Sequence, residues 1–139
     1  MEYRIFEDTV VVRLDKGEEI CQQLLLLAEK EQIAVADISG IGAVDDLVVG
    51  LYDPDKRCFL ENHLTGYHEV TNLCGNLTTM NGKPYLHLHM TCADAEGHTV
   101  GGHLAQARIS LTGEIFLHLC RGKVERTRDE QLGLNVFSF

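Results

Sequence analysis

Five of the seven histidines in this 139-residue chain lie between His68 and His103, and the stretch PYLHLHMTCADAEGHTVGGHL, Pro84 to Leu104, concentrates residue types that hold metal ions. His87 and His89 stand two apart. On a strand over Tyr85 to Cys92, the period of two sends both imidazoles out of one face and Leu86, Leu88 and Met90 out of the other. A hairpin turning through Ala95-Glu96-Gly97, with glycine where positive φ is required, pairs Asp94 with His98. Counting along that register sets His103 opposite His89, so His87, His89 and His103 converge on one face. A two-residue loop would turn His103 away, and a bulge at Gly101-Gly102 would bring it back. Three neutral imidazoles on neighbouring strands suit zinc or a similar borderline metal, with water or a further ligand in the fourth position. Such a metal can acidify a bound water for hydrolysis or simply pin strands together.

Other candidates have less behind them. Cys92 lies an odd number of residues from His89, faces the opposite way, and reads as a small buried hydrophobe. His118 and Cys120 share a face of a later strand, with nothing local to say which face meets the histidines. His68 with Glu69 reads as outer support for the metal or, more simply, as a solvated pair. The chain has no G-x-S-x-G, P-loop, dinucleotide fingerprint or HExxH, and no base is assigned to a nucleophilic cysteine.

The elements that must position the histidines follow from periodicity. Arg4 to Leu14 is a β-branched-rich run of one or two short strands. Asp15 and Glu18 form a capping-box pattern, and Ile20, Leu24, Leu27 and Ala28 recur at helical spacing up to about Gln32. From Ile33 onward the chain reads as short strands: Ile33 to Ser39, Val44 to Tyr52, Arg57 to Leu64, His68 to Met80, Tyr85 to Ala93, His103 to Leu111, Glu114 to Cys120 and Lys123 to Arg128. Asp53-Pro54-Asp55-Lys56, Asn81-Gly82 and Thr112-Gly113 are the predicted turns. One helix against a large, mainly antiparallel sheet, an α+β fold, is the economical reading.

Composition bounds the function. With 12 basic and 21 acidic residues the net charge is −9, and 45% of residues are hydrophobic, enough for one domain with its own core. An acidic chain repels a phosphate backbone at long range, which argues against DNA as a partner. Five cysteines without a CxxC pair, and no secretory leader pattern, point to a reducing cytoplasm. The longest strongly apolar stretch, Leu24 to Ala28, is far below the roughly 20 residues of a membrane span, so no membrane role is expected.

The runs Thr65-Gly66-Tyr67-His68-Glu69-Val70, Leu73-Cys74-Gly75-Asn76-Leu77 and Pro84 to Met90, followed by Asp94, Gly97 and Gly101-Gly102-His103-Leu104, resemble the PPC (plants and prokaryotes conserved) domain. The early strand, the helix and the Ser39-Gly40-Ile41-Gly42 turn fall where that family has them. The resemblance implies a single PPC-like domain over residues 1–139, assembled as a homotrimer. For prokaryotic members it implies a metal, usually taken as zinc, on the histidines matching His87, His89 and His103. It also brings the label DNA-binding, although the minor-groove contact of the plant proteins is made by a preceding AT-hook, and no Arg-Gly-Arg-Pro hook occurs in this sequence.

Three functions compete. The first is a trimeric, zinc-binding PPC protein with a binding or regulatory role. The second is a small hydrolase-like, metal-dependent enzyme, with Glu69 or Glu96 as base; its spacing departs from that of a cupin. The third is direct DNA binding through Arg121, Lys123, Arg126 and Arg128, a group that otherwise reads as a solvated strand with its neighbouring turn.

Overall fold

The computed structural model describes residues 1–139. The β-branched run at the start splits into β1 (Glu2–Phe6) and β2 (Thr9–Asp15), an antiparallel pair. Then come α1 (Ile20–Lys30), β3 (Ala36–Asp53), β4 (Cys58–Met80), β5 (Lys83–Ala93), β6 (Thr99–Leu119), β7 (Glu125–Asp129) and β8 (Leu134–Ser138). Every strand pairing is antiparallel except a single parallel contact between Thr79 and Glu125. The fold is therefore the mainly antiparallel sheet with one helix that the patterning predicts.

Long strands make this sheet close on itself. β3 and β5 each pair with both β4 and β6, so four strands form a hydrogen-bonded circuit. Along one edge β6 takes β5 at Thr99–His103 and β2 at Thr112–His118. The start of the helix fills the gap between them, where the backbone N–H of Ile109 donates to the Glu18 carbonyl at 2.9 Å and that of Ala107 to Glu19 Oε1 at 3.0 Å.

The helical face is the expected one: Ile20, Leu24, Leu27 and Ala28 are all buried. The cap is not. Glu19, rather than Asp15, occupies the N-cap, its carboxylate accepting from the N–H groups of Cys21 at 3.1 Å and Gln22 at 2.6 Å. The Asp15 N–H does donate to Glu18 Oε2 at 2.8 Å, but that pairing closes a turn ahead of the helix. Helix and sheet share one core, in which Leu24, Leu27, Leu73, Leu77 and Leu88 are almost wholly buried. At roughly 1.5–3 kcal/mol for each such side chain, this burial determines which sheet face points inward and leaves the other for polar groups.

Three predicted breaks are strand interior, among them Thr65 to Tyr67, which runs on within β4. Thr112-Gly113 does not turn; these residues pair with Asp15 and Leu14 of β2, and Gly113 sits so close that a Cβ would lie 2.8 Å from the Ile109 side chain. A glycine there serves close packing rather than a reversal. Ser39 to Gly42 likewise continues β3, with a register shift between Gly40 and Gly42. The other turns hold: Asn81 and Gly82 take φ of 53° and 74°, the paired positive values of a type I′ hairpin, and Asp53 Oδ1 accepts from Asp55 and Lys56 N–H groups. The β7–β8 hairpin is one element more than periodicity indicates.

Candidate metal centre and its cavity

The hairpin between β5 and β6 sets the site. The Asp94 N–H donates to the His98 carbonyl and the Gly97 N–H to the Asp94 carbonyl, both at 3.1 Å, with Gly97 at φ 82°. That is the three-residue turn, and it pairs His89 with His103. No bulge is needed between β5 and β6. On β4, Gly75 holds φ at 150°, and a Cβ there would fall 2.0 Å from the His87 carbonyl oxygen. Only glycine lets β4 approach the histidine strand so closely.

His87, His89 and His103 consequently converge. Their ring centroids are 5.2 to 5.6 Å apart, and one ring nitrogen from each lies within 4.8 Å of the others. Phe59 stacks on His103 at 4.7 Å. Burial holds His87 down to about 4, aided by the neighbouring His103, Arg126 and His89, and burial with His89 lowers His103. Neutral imidazoles are the form that ligates. A tetrahedral zinc at 2.0–2.1 Å from each nitrogen needs N···N separations of roughly 3.4 Å, within reach of ring rotation from this spread.

A cavity of about 690 Å³ opens over the three imidazoles, walled on one side by Gly50–Tyr52 and Phe59 and on the other by β7 and Gly133–Phe137 of the C-terminal hairpin. The Tyr52 hydroxyl donates to the Leu132 carbonyl at 3.0 Å and ties the two walls together. Arg126 enters this cavity and is only 6% exposed. Its Nε donates to Thr78 Oγ1 at 2.8 Å, Nη1 to the Asn135 carbonyl and Nη2 to Asn76 Oδ1, both at 2.9 Å. The guanidinium lies 4.7 Å from the Tyr85 ring and 4.4 Å from that of Phe137, and burial lowers its pKa.

Arg126 corrects the reading of Arg121 to Arg128 as a solvated strand. In sequence its neighbours Glu125, Arg128, Asp129 and Glu130 mask it, and the only signal is that Arg126 and Arg128 share a parity and hence a face. The other candidates lie elsewhere. Cys92 is fully buried in the core. His118 sits beside Thr9 and Phe116, and His68 bonds the Gly66 carbonyl. Neither Glu69 nor Glu96 lines the cavity, and the Asp94 carboxylate beside Glu96 is occupied by turn N–H groups. No helix is long and apolar enough to cross a membrane.

Comparison with known proteins finds the same fold elsewhere. A "putative dna binding protein" from Bacteroides thetaiotaomicron has the same fold, with TM-score 0.96, 28% identity, and coverage of 99% of this chain and 96% of that one. A metal-containing protein from Archaeoglobus fulgidus follows with TM-score 0.87, 32% identity and coverage of 99% and 97%. The bifunctional protein GlmU of a Synechococcus strain is 32% identical over 108 residues, 76% of this chain but 16% of that protein's length. Residues 1–120 match the model of the Plants and Prokaryotes Conserved (PCC) domain, and the chain belongs to that family.

Proposed function

We propose that this protein is a homotrimeric, zinc-binding member of the family, resident in the reducing cytoplasm, that acts by binding and regulation rather than by turnover. The observation that carries this reading is the convergence of His87, His89 and His103 across the β5–β6 hairpin. The metal-containing relative from Archaeoglobus fulgidus supports it. Zinc would supply Lewis acidity at an open coordination position, but no carboxylate lines the cavity to serve as base for a metal-bound water, which favours binding over hydrolysis. Five free thiols agree with a reducing compartment.

Direct contact with DNA fits less well than the description of the Bacteroides thetaiotaomicron relative suggests. Net charge is −9, and the one dense basic group loses Arg126 to the interior. Metal analysis of purified wild type and of His87→Ala and His103→Ala variants tests the site. The expected outcome is about one zinc per chain in wild type and loss of most of it in each variant, since mutating even the groups that orient a ligand costs about 10–100-fold in metal affinity. Unchanged zinc in both variants would sink the assignment.

A further inference from the structure

The cavity over the histidines has a charge character that a metal site does not by itself require. In a chain with 21 acidic residues, no aspartate or glutamate lines it, while Arg126 and Arg128 do. A buried charge is ordinarily paired, because desolvation is costly. Arg126 makes no ion pair, and neither does Arg128. Neutral acceptors take three of the five N–H groups of Arg126 and the rings of Tyr85 and Phe137 attract its cation, which leaves two donors and a positive charge that no anion neutralises. The protein holds a rigid cation at the wall of a cavity and provides no anion for it.

We propose that this cavity binds a small organic carboxylate, its head group held by Arg126 and Arg128 and its apolar body lying against Tyr52, Phe59 and Phe137. The arginine fork matches a planar carboxylate in geometry. Aromatic rings on both walls suit an apolar body, which inorganic phosphate lacks, and the volume of about 690 Å³ lies in the range of small-molecule sites. This goes beyond the metal reading and does not need it: a zinc ion on the histidines adds attraction, yet the unpaired arginines already select for an anion. Both arginines lie past residue 120, where the family match ends, so this specificity belongs to the C-terminal hairpin.

Isothermal titration of zinc-loaded and of chelator-treated protein with naphthoate, its neutral amide and inorganic phosphate tests the proposal. Naphthoate should bind both forms, at least about tenfold more tightly than the amide. Arg128→Gln, at an exposed position and verified as folded by circular dichroism, should weaken naphthoate about tenfold; Arg126→Lys should weaken it further if folded. Equal binding of acid and amide, an Arg128→Gln variant that binds like wild type, phosphate tighter than naphthoate, or no heat with any probe would each overturn the proposal. Naphthoate binding retained in His87→Ala upholds it even where metal analysis finds no zinc, so the two readings fail separately.

Discussion

Glu125 holds the C-terminal hairpin against the rest of the protein. Its carboxylate accepts from Thr79 Oγ1 at 2.6 Å and the Gly82 N–H at 3.2 Å and pairs with Lys123 Nζ at 3.0 Å. The Thr79 hydroxyl, then Lys123 and the Gly82 N–H, bring its pKa from an ordinary 4.5 to about 2. A lowered folded-state value means that the folded protein favours the charged form. This contribution to stability is therefore complete above about pH 4.5 and is lost as pH falls toward about 2. Urea unfolding of wild type and Glu125→Gln across that window should show wild type losing its advantage on acidification. A constant difference between the two would refute the role. Glu125 and Arg126 are equally opaque in the sequence, because neighbouring charges of both signs read as a solvated strand and only packing separates the inward from the outward ones.

At the scale of elements, two strands and their turn carry the site. The histidine register is legible in the amino-acid sequence up to the length of one turn: a three-residue turn ending in Gly97 pairs His89 with His103 and a two-residue one turns His103 away, and the structure has the three-residue turn. The helix face is legible because its apolar repeat matches one period. Glycine misleads where it marks close approach instead of reversal, as at Gly113. Gly75 illustrates the cost of losing such a contact. Alanine there must hold a positive φ and push a methyl group into the His87 carbonyl, so Gly75→Ala should destabilise by about 3 kcal/mol or more and reduce zinc content together with stability. Chemical denaturation measures this directly; a loss below about 0.5 kcal/mol would show that β4 and β5 can separate freely.

For the whole molecule, the arm formed by the second half of β3 and the first half of β4 bears on assembly. β4 meets β5 only from Glu69 onward, so Cys58–His68 pairs with β3 alone and leaves its other edge open. Leu51, Leu60 and Tyr67 on this arm are exposed. An open edge beside apolar side chains is a surface that native proteins cover. Cover by copies of the same chain should give a light-scattering mass near three times 15.5 kDa. A monomer at micromolar concentration would remove the trimer from the proposed function.

The sequence by itself determined the fold class and the helical face, because each depends on local periodicity and on turn chemistry within a few residues; it narrowed the place of His103 to two registers, and the three-residue turn seen in the structure selects the one that pairs it with His89. The continuity of the long strands, the circuit they close and the cavity above the histidines were decided only by tertiary structure. These depend on contacts between residues far apart in the chain: Arg126 meets Asn76 and Thr78 some 50 positions away. Burial of its charge is a property of the assembled walls, and no local pattern encodes it.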